Sequence, residues 1–213
     1  MTKNIRPEVP IRRLIYIPIV HTHADMGALR ESVRQVALRK LGKTGWERKL
    51  KVIDKMWTQI EQVIDSLALH YEKVRLYQDG LPVCSREIEI VTELAKAGSR
   101  NHQILLRLLE KGATIMGTES SELLVEEYEL VKQILATGDT SSIVKMANNQ
   151  KALSESLLRR RDQYIADRIN KTLRAGETGI IFLGLLHALG RWLDKDIQVI
   201  YPVGTPFPSR LNP

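Results

Sequence analysis

The sequence predicts an α/β fold: a small, mostly parallel sheet of four to five strands flanked by helices, with a long helical insertion after the first strand. Three observations carry that expectation. Two apolar, β-branched runs, LIYIPIV at residues 14–20 and GIIFLGLL at 179–186, each stop at a histidine, as buried strands that deliver polar side chains to one sheet edge do. Helix-like segments separate the strand candidates, and a parallel crossover is usually made by a helix. Between the first two strands, Trp46, Leu50, Ile53, Trp57, Ile60, Ile64 and Leu67 alternate steps of four and three, which places them on one stripe of a long helix.

Composition sets the bounds. At 213 residues and 43% apolar content the chain can bury a core, and residues 1–213 are expected to form a single α/β domain. The one cysteine, Cys84, excludes an internal disulfide, and no charged segment followed by an apolar one opens the chain, so a reducing cytoplasm is expected. No apolar run approaches the roughly 18 residues a bilayer span needs, which predicts a soluble protein with no membrane partner. Lys and Arg exceed Asp and Glu by 32 to 25, a net charge of +7, so nucleic acid or an anionic substrate has to be weighed. The basic residues are interspersed with acids in small clusters, no binding motif is present, and only two Phe could stack bases, which argues against nucleic acid.

In chain order, residues 1–10 carry two prolines and read as a lead-in. After the first strand Asp25 can cap a helix that starts near Met26 and runs towards Leu41, where Gly42 and Gly45 break it. The helical insertion, residues 43–70, follows with its apolar stripe. That stripe reads either as packing on the core or as a coiled-coil-like seam to a second copy, which would make a homodimer; in both readings the tryptophans are packing residues. KVRLYQD at 73–79 is a second strand, whose end presents Gln78 and Asp79 before a turn at Gly80, Leu81 and Pro82. Ser85 can cap a helix through Ile88, Val91 and Leu94 to Gly98, and another helix spans 101–110. ATIMG at 113–117 is a third strand, ending at Thr118, Glu119 and Ser120. Two helices follow, one through Leu124, Tyr128 and Val131, and a long one to Leu173 that Gly176 ends. A strand at 180–185, a helix at 187–193 and a strand at 197–201 complete the fold. Four of the eight prolines fall in 202–213, which predicts an extended tail.

Four strand ends then converge: His21 with His23 and Asp25, Gln78 with Asp79, Glu119, and His187. If the strands are parallel, these lie on one edge, where open α/β sheets hold their ligands. Imidazoles and carboxylates are what zinc or manganese takes, with His21, His187 and Glu119 as the ligand set, and they serve equally as a general acid and base. Plainer readings stand beside these. Asp25 and Glu119 sit where helices begin and can be caps, Asp79 can hold its turn, and His187 can be a hydrogen-bonded core histidine. His70 and His102 read as surface or packing residues. On the last long helix Arg161 shares a stripe with Leu157, Ile165 and Ile169, whereas Arg159 and Arg160 point away. A guanidinium on that stripe needs a carboxylate or an anionic ligand, because an unpaired buried charge is very costly, and Asp162 can join the same network.

The set of a strand then His, a strand then an acid before a turn, a strand then Gly-Thr-Glu, the Arg-Asp pair opening RDQYIADRI, and the late Gly-x-x-His at 184–187 resembles the TraB/Tiki superfamily, which includes the erythromycin esterases and the ChaN-like proteins. The resemblance spans residues 14–201 and implies an α/β core with an inserted helical region. It also implies a hydrolase site built from His21, Asp79, Glu119, Arg161 and His187, acting on a small molecule or a peptide. Some members are metal-dependent proteases and others are esterases not tied to a metal. Two departures mark this chain: Ile19-Val20 replaces the usual Gly-Thr step before the first histidine, and the second strand ends Gln-Asp where glutamate is common.

Rival motifs are weak. The His-x-His of amidohydrolase-type enzymes belongs to barrels of seven or eight strands, and no G-x-S-x-G, P-loop or G-x-G-x-x-G is present. The sequence therefore predicts a hydrolase with His21, His23, Asp79, Glu119, Arg161 and His187 at its site. The competing expectation is a non-catalytic ligand-sensing or scaffold protein that pairs through the helix at 46–67.

Overall fold

The computed structural model describes residues 11–20, 30–136 and 143–204. Among the described residues five strands form one sheet: β1 (Arg12–Ile19), β2 (Val74–Gln78), β3 (Thr114–Met116), β4 (Thr178–Gly184) and β5 (Ile197–Ile200). Their order is β3-β2-β4-β1-β5 and every pairing is parallel, so all carboxyl ends share one edge. The register sets Ile19 of β1 opposite Gly184 of β4, and Gln78 of β2 opposite Phe182 of β4.

The two-residue period of a strand divides the core. Ile15, Ile17, Ile19, Leu76, Ile180 and Phe182 face one layer, while Leu14, Tyr16, Tyr77, Ile181 and Leu183 face the other. Both faces are covered, which is why β1 and β4 read as unbroken apolar runs. Close packing fixes Gly179 in β4: a Cβ there would lie 2.8 Å from Leu14 Cδ1.

On the first face lie α1 (Arg30–Ser66), α2 (Glu87–Lys96) and α3 (Arg100–Glu110). Helix α1 is two arms that meet at Gly42, whose φ of 65° is the expected break, whereas Gly45 is helical. From the stripe on the second arm, Ile53, Trp57, Ile60 and Ile64 are buried inside this chain, and Trp46, Leu50 and Leu67 are half-buried. The core-packing reading therefore describes residues 53–64, and a seam to a second copy has only the ends of the stripe to draw on. On the opposite face, α5 (Ile143–Thr172) packs through Ile165 and Ile169, and α4 (Ser121–Ala136) lies against α5.

Two local expectations are corrected. Ser85 does not cap α2; it has φ 63°, and the Glu87 carboxylate accepts from the N–H groups of Cys84 and Ser85 at 3.0 and 3.2 Å. Residues 187–193 form an irregular loop with a turn at 190–192 and not a helix. There the His187 N–H donates to the Gly184 carbonyl and the Trp192 N–H to the Leu189 carbonyl, while the Ala188 N–H donates to a side chain of α5, so the segment is held as a loop against that helix. The expected cap Asp25, together with His21, His23 and residues 205–213 of the tail, lies outside the described residues. Among those described, no helix is long and apolar enough to cross a membrane.

Candidate active site

Asp79 is the first residue beyond β2. Its N–H continues the ladder to the Phe182 carbonyl at 2.9 Å, which aims its side chain across the ends of β2 and β4, and Oδ2 accepts from the Gly184 N–H at 2.8 Å. Glu119 follows β3 and is held by a parallel bridge to Pro82, with its Oε1 accepting from the Gly80 N–H at 2.8 Å. That bridge needs Gly117, because a Cβ there would lie 2.7 Å from Val83 Cα.

Arg161 comes down from α5 between the two carboxylates. Its Nε donates to Glu119 Oε2 at 2.7 Å, and Nη2 donates to Glu119 Oε1 at 2.6 Å and to Asp79 Oδ1 at 2.8 Å. Nη1 donates to Glu127 of α4. Arg160, one residue away, is exposed and pairs with Glu126. Burial pulls the Arg161 guanidinium towards neutrality, but the bonds and charges of Glu119, Asp79 and Glu127 outweigh it and hold Arg161 well above the usual arginine range. Glu119 moves the other way for an acid: burial raises it above the usual carboxylate range against the pull of Arg161.

His187, three residues beyond β4, is buried. Nδ1 lies 2.6 Å from Asp162 Oδ1 and Nε2 lies 3.5 Å from Asp79 Oδ2. The second Asp162 oxygen accepts from the Ala188 N–H at 3.1 Å, so one α5 carboxylate fixes both the imidazole and its loop. Burial pulls the imidazole down, yet the hydrogen bond to Asp162 and the charge of Asp79 prevail and raise it. Since Nδ1–H donates to Asp162, Nε2 is the position that gains or loses the proton.

The structure thus brings Asp79, Glu119, Arg161 and His187 into one buried network; His21 and His23 lie outside the described residues. Asp162, expected in the network of Arg161, is the direct partner of His187. Of the two readings of His102, surface or packing, the structure gives the second: it is buried, with Nδ1 2.7 Å from Ser99 Oγ, and it also lines the cavity beside the network. The signal for that lay in the Ser99-x-x-His102 spacing of a helix N-cap.

The carboxylates do not fit a metal. Both Glu119 oxygens already accept from Arg161, and one also from Gly80, so a dication bound there would meet a guanidinium at hydrogen-bond distance. Among the described residues no group of three or more His, Cys, Asp or Glu could hold an ion.

Above the network opens a cavity of about 560 Å³. Asp79, Arg161, His187 and Gln78 are among its polar lining, Glu127, Tyr128 and His102 also border it, and the apolar wall includes Leu81, Ile90, Leu94, Leu124, Leu158 and Leu186. That size and polarity suit a small organic molecule with a few polar atoms. No protein-family model, curated protein or solved structure matches the chain.

Proposed function

We propose that this chain is a hydrolase of the TraB/Tiki/erythromycin-esterase type, with His187 as its proton-transferring group and a substrate whose body is apolar. The observation that carries the reading is the buried line Asp162–His187–Asp79 beneath an apolar cavity. Asp162 fixes the tautomer, which leaves Nε2 to take a proton from an attacking water or hydroxyl and return it to the leaving group. Arg161 positions Asp79 and Glu119. Three carboxylates already take most of the Arg161 N–H groups, which leaves the guanidinium little to offer an anion and favours a substrate whose polar end is neutral. An anionic group for Arg161 to bind, one sequence-based expectation, is disfavoured on the same ground. The one cysteine, Cys84, is exposed and unpaired, which fits a reducing cytoplasm.

The test is a panel of esters and peptides with graded acyl length, assayed with chelator and with added zinc or manganese. Turnover of apolar neutral esters that His187→Asn lowers by about 10²–10⁴-fold supports the reading. An unchanged rate in His187→Asn, or no turnover across the panel, overturns it. A second reading, ligand sensing without catalysis, draws on the same cavity, whose floor groups already satisfy one another. Retention of an intact apolar ligand with no product would favour it.

A further inference from the structure

The charge of this protein is not where its cavity is. Residues 40–55 of α1 hold six cations, Lys40, Lys43, Arg48, Lys49, Lys51 and Lys55, against two acids, Glu47 and Asp54, which is more than half of the net +7. All six cations are exposed, and none takes part in the ion pairs formed among the described residues. One of the two acids is itself engaged elsewhere, because Asp54 pairs with Arg100 at 2.5 Å.

Helix geometry gathers the charges. Lys51 and Lys55 each lie two residues from the core residue Ile53, about 200° round the helix from it, and Arg48 precedes Lys51 by three. Arg48, Lys51 and Lys55 therefore form one strip that points away from the sheet. A strip of unpaired like charges on consecutive turns is destabilising in the free chain.

We propose that this helical arm docks on an anionic lipid surface. A polyanion would complement the strip, and two features favour phospholipid headgroups over a nucleic-acid backbone. First, apolar side chains stand among the cations: Val52 is 69% exposed beside the strip and Leu41 is 46% exposed at the Gly42 kink. A duplex offers these nothing, whereas the headgroup–acyl boundary accepts them. Second, five of the six cations are lysines, whose long stems let the ammonium reach headgroups while the chain lies on apolar surface, and which lack the planar fork that arginine offers to phosphates and bases. The arm lies on the cytosol-facing kind of surface only by its chemistry: a cluster of cations near an anionic leaflet is attracted across roughly a Debye length, without any segment that crosses the bilayer.

The experiment is co-sedimentation of the full chain with vesicles of neutral phosphatidylcholine and with vesicles containing about 30% phosphatidylserine, at low salt and at about 0.5 M salt. Partitioning on the order of tenfold stronger on the anionic vesicles, suppressed by salt and lost in R48E/K51E/K55E, is expected. L41S/V52S should weaken it at unchanged salt dependence. The helical signal and melting temperature of each variant serve as the folding control, since all of these side chains are exposed. Equal partitioning on neutral and anionic vesicles, no partitioning at all, or tighter binding to a 30-base-pair duplex in the same buffer would each overturn the proposal.

Discussion

His187 and Asp162 meet at 2.6 Å between Nδ1 and Oδ1, and the opposite edge of the same ring faces Asp79 at 3.5 Å. A buried imidazole between two carboxylates is biased towards its charged form, and that bias has a sign in pH. The folded state raises His187 above its ordinary 6.5, so the stability this group contributes is fully present below the unfolded value and is lost as pH rises through the folded one. Stability should therefore decline from about pH 6.5 upwards, and Asp162→Asn should flatten that decline. Urea midpoints measured across this range check both. If hydrolysis depends on neutral His187, its acid limb should lie above the ordinary histidine range and move down in Asp162→Asn.

Arg161 and Arg160 are adjacent and unequal. Arg161→Ala leaves Asp79 and Glu119 buried without their cation and should cost about 3–5 kcal/mol. Arg160→Ala removes only an exposed pair with Glu126 and should stay within about 0.5 kcal/mol. Equal melting temperatures for the two variants would contradict the assignment.

Gly117→Ala tests how Glu119 is held. The new methyl would press on the backbone at Val83 and on the Pro82 carbonyl, 2.7 and 3.0 Å away, where little can yield. A loss of about 1–3 kcal/mol is expected in chemical denaturation, accompanied by reduced activity because Glu119 shifts with its bridge.

The two tryptophans of the α1 stripe should also separate. Trp57, 2% exposed, sits in the main core, and Trp57→Ala should cost about 3–5 kcal/mol. Trp46→Ala, in the half-buried part of the arm, should cost less than half as much, and calorimetry on both variants decides.

Leu124→Trp should fill part of the cavity wall. KM for long-chain esters is expected to rise by at least about tenfold while short-chain esters are spared, as lost contact volume requires. Uniform loss across the acyl series would place the substrate elsewhere.

Much of the framework was legible in the residues. Strands β1 and β4 could be read because both faces of the sheet are covered there, so burial writes itself as continuous apolar runs at 14–19 and 180–183. The core stripe of α1 and the inward turn of Arg161 were legible for a similar reason, since 3.6-residue periodicity records which face is buried. Ser85 and residues 187–193 depart from the expectation because local cap and helix preferences are weak: the nearby Glu87 carboxylate takes the Cys84 and Ser85 N–H groups, and a tertiary bond from the Ala188 N–H to Asp162 holds the later segment.

Periodicity tells which side of an element is inward, and by itself the sequence determined the α/β class, the strands and the inward Arg161. It does not tell which inward groups meet. That Asp79 accepts from Gly184, 105 residues on, and that Arg161 donates to three carboxylates was decided by the order β3-β2-β4-β1-β5, which places the ends of β2 and β4 side by side under α5. The same arrangement selected Asp162 for His187 and left the cations of α1 facing outward, because contacts between distant segments are set by packing in three dimensions and leave no local pattern in the chain.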